Sequence, residues 1–259
     1  MKRILTIFKP FEDINASNKV NIFGGWLLII IGLWVSSSFG DVHLFPTPKQ
    51  VLNGFGMLWN EGLVTHIGSS LMLCAKAVFI SVLISLILAY STTIPFFKPI
   101  GTVISKLRYL PLTGIAFYIA ILIHDARTIQ VWVLVVFMTT FLTTSLIQMI
   151  QDIPEEEFSH ARTLGCNRWE ILWEVVILGR LDYVLELVRQ NLAIVWMMLV
   201  TVESILVAAG GLGLIIKNND KLGDNGKVIA VQILIVVIGV ALDFIITKIR
   251  KLTFRYSNY

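Results

Sequence analysis

Apolar residues fall in long unbroken blocks along this chain, not at every second or every third and fourth position. Six blocks follow one another, at 22–39, 69–90, 103–123, 129–150, 191–216 and 228–249. Each is apolar around its circumference and near the ~20 residues that a helix needs to cross ~30 Å of hydrocarbon. Lipid offers no partner for free backbone groups, so such blocks predict helices; barrel strands would alternate. The expected fold is therefore an all-α membrane protein of about six transmembrane helices, forming one domain over 1–259. Lys76 interrupts the second block. Lys106 and Arg108 lie in the first turns of the third, where long side chains snorkel to the interface. Ser36, Ser37 and Ser38 after the first block raise a cleaved signal peptide as the rival reading. The long leading segment with Glu12 and Asp13 favours a retained span.

Composition agrees. Of 259 residues, 56% are hydrophobic and only 15% charged, with a mean hydropathy of +0.79; soluble domains carry nearer a quarter charged residues. The net charge of +4 is not gathered in one patch, which argues against nucleic acid as a partner. Instead the basic residues orient the chain. Lys2, Arg3, Lys9, Lys19, Lys98, Lys106, Arg108, Arg162, Arg168, Arg180, Arg189, Lys248, Arg250, Lys251 and Arg255 share one side, against Lys49, Arg127, Lys217, Lys221 and Lys227 on the other. The positive-inside rule then puts both termini in the cytoplasm. Cys74 lies in an apolar block and Cys166 in a polar loop, so no disulfide is expected.

The segment 151–190, between the fourth and fifth blocks, is too long for a simple turn between membrane helices. Pro154 suits a helix start, and Glu155, Glu156 and Glu157 favour the positive end of its dipole. Gly165 would stop that helix after Thr163 by taking positive φ. A second amphipathic segment follows, with Trp169, Leu172, Trp173 and Val176 on one face. By pattern alone it is either an interfacial helix on the inner leaflet or a docking element for another protein.

Ala161-Arg162-Thr163-Leu164-Gly165-Cys166-Asn167-Arg168-Trp169 resembles the cytoplasmic loop of ABC importer permeases. That motif opens with Glu-Ala-Ala and closes near Ile-x-Leu-Pro. Here Ser159 and His160 stand in the Glu-Ala slots, Ala161 and Gly165 match, and Val175, Ile177 and Leu178 replace the closing residues. Three further stretches resemble the nitrate, sulfonate and taurine branch, in family order. They are Pro46-Thr47-Pro48-Lys49-Gln50-Val51 with the preceding Leu44 and Phe45, His66 to Leu71, and Glu203 with Gly210, Gly211, Leu212, Gly213 and Ile215.

The resemblance implies a type I importer permease in the inner membrane that works by alternating access. Its cytoplasmic coupling loop would dock an ABC ATPase subunit through Glu157, Ala161, Arg162, Leu164, Gly165, Arg168 and Trp169. ATP and Mg would be used by that ATPase, and this chain would bind no cofactor and carry no catalytic residue. An extracytoplasmic (periplasmic) solute-binding protein and a second permease copy, as a homodimer in membrane lipid, complete the expected partners. The chain agrees in lacking a phosphate loop of its own: Gly226-Lys227-Val228 has no Ser or Thr after the lysine.

Charged residues inside spans cost roughly 2.5–3.5 kcal/mol each at the bilayer centre, so they are candidates for function. Glu203, near mid-membrane, either lines the pore or gate, or makes an interhelical bond with a partner such as Lys76. Lys76 either snorkels outward or meets an anionic solute. Gly210, Gly211 and Gly213 either break the fifth helix or let it pack closely. Asp243 is expected to cap Lys248 or a neighbour. His124, Asp125 and Arg127 read as a solvated turn, with no metal. An ion-driven secondary transporter is the alternative, but it would want inverted repeats and more intramembrane carboxylates. No pattern of an intramembrane protease appears.

Overall fold

The computed structural model describes residues 16–36, 46–207 and 210–254. All regular structure among them is helical. Helix α1 is Ala16–Ser36, α2 Pro48–Asn60, α3 Leu63–Ser91, α4 Lys98–Leu107, α5 Leu112–Leu122 and α6 Ala126–Gln151. In the long loop, α7 is Glu155–Thr163 and α8 is Arg168–Ile171. From α8 the chain winds through a π-helical turn, Leu172–Ile177, and a 3-10 turn, Leu178–Arg180, into α9, Leu181–Ile205. Helices α10, Leu212–Lys221, and α11, Asn225–Thr253, close the fold. The expected residues Lys2, Arg3, Lys9, Glu12, Asp13, Ser37, Ser38, Leu44, Phe45 and Arg255 lie outside the described residues.

Helix α6 is the central post. Val133, Leu134, Met138, Leu142 and Leu146 on it are fully buried. Helix α3 lies along it through Ser70, Ala77, Ser81, Ser85 and Ala89, small residues that let two backbones approach closely. Ser81 Oγ donates to Ala77 O at 2.6 Å and also reaches Val135 O on α6 at 3.3 Å. The opposite face of α3 shows Met72, Phe79, Leu83 and Ile87 outward. Helix α9 packs on the other flank of α6, and α11 packs on α9, α10 and α2. Where α2 meets α11, a Cβ on Gly54 would lie 3.0 Å from the Gly226 backbone, so any larger residue would push the two helices slightly apart.

Three helices are long and apolar enough to cross a membrane: Leu63–Ser91, Ala126–Gln151 and Asn225–Thr253. They enclose the expected second, fourth and sixth spans. The first expected span falls on the shorter apolar stretch Val20–Ser36.

The other two expectations need correction. The third span is not one helix over 103–123, because α4 ends at Leu107 and α5 begins at Leu112. Pro111 has no N–H to donate and forces Leu110 out of helical geometry, so a corner forms there. Lys106 and Arg108 stand exposed at that corner. The fifth span is likewise broken. Helix α9 stops at Ile205, and the chain turns through Gly210, φ 82°, and Gly211, φ 112°, before α10. The polar lead of α9, 181–190, precedes its apolar part, which begins at Asn191.

Local capping fixes several ends. Thr47 and Gln50 form a reciprocal capping box at α2, whose N1 is Pro48. Asp125 caps α6, accepting from Thr128 N at 2.7 Å and Thr128 Oγ1 at 2.6 Å. Those two bonds hold the Asp125 carboxyl below the usual range. Among the described residues no group of His, Cys, Asp and Glu could hold a metal.

Candidate functional site

Two clusters gather the polar chemistry, one at each end of α9. At the loop end, α7 starts after Pro154 and presents Glu155, Glu156 and Glu157 in its first turn. It ends in a tight corner: Cys166 N donates to Ala161 O at 3.1 Å while Gly165 takes φ 84°. The next helix begins at once. Asn167 Oδ1 accepts from Trp169 N and Glu170 N, and Glu170 Oε2 accepts from Asn167 N at 2.7 Å. Two capped helices meeting at one glycine make a stiff elbow. Arg180 bonds Glu157 at 2.5 Å and so ties α7 to the entrance of α9.

The elbow divides the expected docking residues. Leu164 is 82% exposed and Trp169 68%, and Arg162 and Arg168 also point outward. Ala161 is buried, and Glu157 is engaged by Arg180. The expected stripe of Trp169, Leu172, Trp173 and Val176 does not keep to one face. Val176 is buried while both tryptophans are exposed, because the π-helical turn changes the winding within it.

Above the elbow, α9 and α11 share a charged network. Arg189 bonds Glu186 and Asp243, each at 2.5 Å, and Arg250 bonds Glu186 at 2.7 Å with Asp182 nearby. The Arg189 hydrogen bond is the main reason that the Glu186 carboxyl is held down at about 2, with Gln190 and the charge of Arg250 helping. Asp243, expected to serve Lys248 or a neighbour, pairs with Arg189.

At the far end, Glu203 is 0% exposed. Its carboxylate accepts from Ser70 Oγ at 2.8 Å and from Gly213 N at 3.0 Å. Ser70 Oγ in turn accepts from Leu212 N at 3.0 Å. Lys76 takes no part. Counted from the true start of α3 at Leu63, Lys76 lies ~20 Å along the helix, near its middle, on the exposed face. Glycine is needed twice here. A Cβ at Gly211 would collide with the Glu203 carboxylate, and one at Gly213 with Val200 O. Both expected roles of these glycines therefore occur together, a break and a close approach.

Sequence reading named Gly211, His66 and Arg127 but not the partners they make here, and passed over Gln130. Gly211 N donates to His66 Nδ1 at 3.3 Å, and Gln130 Nε2 donates to Leu206 O at 2.9 Å. Arg127 donates to Gln130 Oε1 at 3.0 Å, to Ser69 Oγ at 2.9 Å and to Ser69 O. Arg127 is thus half-buried in the fold and does not belong to a solvated turn. The only sequence signal was its spacing from Gln130, three residues on, at the head of an apolar block.

Relatives share this architecture. The chain is 24% identical over 223 residues to the taurine transport system permease protein TauC of Escherichia coli (strain K12), covering 78% of this chain and 77% of that protein. Among solved structures, the MetNI methionine ABC transporter in inward-facing form matches with a TM-score of 0.64 at 18% identity, over 76% of this chain and 97% of that chain. A bacterial ABC transporter involved in import of the acidic polysaccharide alginate matches with a TM-score of 0.61 at 12% identity, over 93% of this chain and 96% of that chain. The family described as binding-protein-dependent transport system inner membrane component matches residues 81–254. That match runs from within α3 to just past α11; it takes in the loop-end cluster and Glu203, and leaves out His66, Ser69 and Ser70. The chain belongs to this family of ABC importer permeases.

Proposed function

We propose that this chain is the membrane-spanning half of an ATP-driven importer, with the α7–α8 elbow as the handle gripped by a separate ATPase subunit. The observation that carries the reading is the elbow: Leu164 and Trp169 stand exposed on a corner stiffened from within. Apolar side chains on a charged loop of this kind fit a groove on a partner, where burial of each is worth roughly 1.5–3 kcal/mol. The Arg180–Glu157 pair would pass the partner's closure into α9 without slack. ATP and Mg are used on the partner, and both termini of this chain face the cytoplasm with the elbow, as the distribution of lysine and arginine favours.

Two copies would form the pathway, fed by a solute-binding protein on the opposite side. The solute is small and often anionic, of the nitrate, sulfonate or taurine kind; the similarity to a taurine permease supports that class. The test is recovery of the ATPase with the affinity-tagged full-length chain. Leu164→Ala together with Trp169→Ala should lower recovery about tenfold or more, the loss expected when two anchors leave an interface. Undiminished recovery would remove the elbow as the docking site.

A further inference from the structure

Three residues on one face of α3 hold the break between α9 and α10. His66, Ser69 and Ser70 are spaced i, i+3 and i+4, so they project side by side. Ser70 takes the far lip: it donates to Glu203 and accepts from Leu212 N, the first residue of α10. His66 accepts from Gly211 N, just before it. Ser69 reaches the near lip through two side chains of α6. Arg127 bonds Ser69 and Gln130, and Gln130 bonds Leu206 O, the carbonyl that follows α9.

We infer that Glu203 is the positioning residue of this joint: its carboxylate serves as an internal cap for the start of α10 and, through Ser70, makes the break travel with α3. The inference rests on the importer reading only for its consequence in transport. Burial supports it over a pore-lining role. Glu203 is fully covered within a single copy of the chain, so a second copy can only cover it further. A Cβ on Gly211 would strike the carboxylate itself, and one on Gly213 would strike Val200 O and the Cβ of Glu203. An anion at the N-terminal amides of a 10-residue helix also meets the positive end of its dipole. Ser70, with one proton and two lone pairs, can serve Glu203 and Leu212 N at once. Both lips of the joint are tied to α3. Movement of α9 in a transport stroke has to carry α3 with it or break these bonds.

Hydrogen exchange on the full-length chain in lipid nanodiscs tests the cap. Glu203→Ala and Ser70→Ala should speed exchange of the Leu212 and Gly213 amides about tenfold or more, while the α6 amides at 133–146 stay protected. Glu203→Gln keeps a carbonyl oxygen for Gly213 N and should stay within about threefold of the native chain. Unchanged exchange at Leu212 and Gly213 in Glu203→Ala would overturn the inference, as would equal acceleration in α6, which marks general loosening. In the complex with the ATPase, Glu203→Ala should hydrolyse ATP at an unaltered rate with uptake reduced at least about fivefold, and Glu203→Gln should restore uptake; equal loss in both variants would refute positioning. If the native chain recovers no ATPase, the importer reading fails while the exchange result still stands or falls alone.

Discussion

The two ends of α9 solve one problem in opposite ways. At the loop end Asp182, Glu186 and Arg189 meet Asp243 and Arg250 of α11, and opposite charges compensate one another in a partly solvated network. At the far end a lone carboxylate, Glu203, is sealed from solvent and compensated by hydroxyl and backbone donors, with the guanidinium of Arg127 held nearby on Ser69 and Gln130. The members of the first cluster keep exposed surface, whereas Glu203 and Ser70 at the heart of the second keep none. The first can therefore tolerate the loss of a member, while the second depends on fixed geometry.

That contrast can be broken most severely at Gly213. Alanine there places a methyl group against Val200 O, a backbone atom that cannot move aside. Gly213→Ala should cost about 3 kcal/mol or more and lower the melting temperature of the purified chain sharply. A loss below about 1 kcal/mol would mean that the far end is softer than its packing indicates.

Arg189→Ala should cost less, about 1–2 kcal/mol, because Glu186 keeps Arg250 as a partner. Its effect should shrink as salt rises from about 0.05 to 0.5 M, where the screening length falls below ~5 Å. The Gly213→Ala effect should not change with salt. Equal salt sensitivity of the two variants would erase the distinction between the ends.

The smallest effect is a pH dependence. The Glu186 carboxyl, ordinarily near 4.5, is depressed to about 2 in the fold. A depressed acid contributes stability above its unfolded value and loses it as the group is protonated in the fold. The native chain should therefore weaken as pH falls from about 4.5 to 2, and Glu186→Gln should flatten that limb of a stability-against-pH curve.

Much of the site lay in the sequence as residue types without partners. The elbow was readable because its signals are local: Pro154, three glutamates, then Gly165 within one short stretch. The loop motif also carried the resemblance to importer permeases, which the family match bears out. The corner at Pro111 was visible in principle, but an apolar run on both sides outweighed one proline in a span-length reading. Glu203 was marked by its cost in lipid. Its partner Ser70 stood within the stretch His66 to Leu71, but a serine 133 positions away leaves no local sign of the pairing.

Hydropathy and charge by themselves determined that the chain is helical, lies in a membrane and carries one long polar loop, because backbone satisfaction and transfer free energy act on each segment separately. Only the tertiary structure decided where the fifth span breaks, which serines hold the broken ends and which carboxylate faces an arginine. Those outcomes depend on which faces of α3, α6, α9 and α11 come together, and that packing belongs to no segment alone.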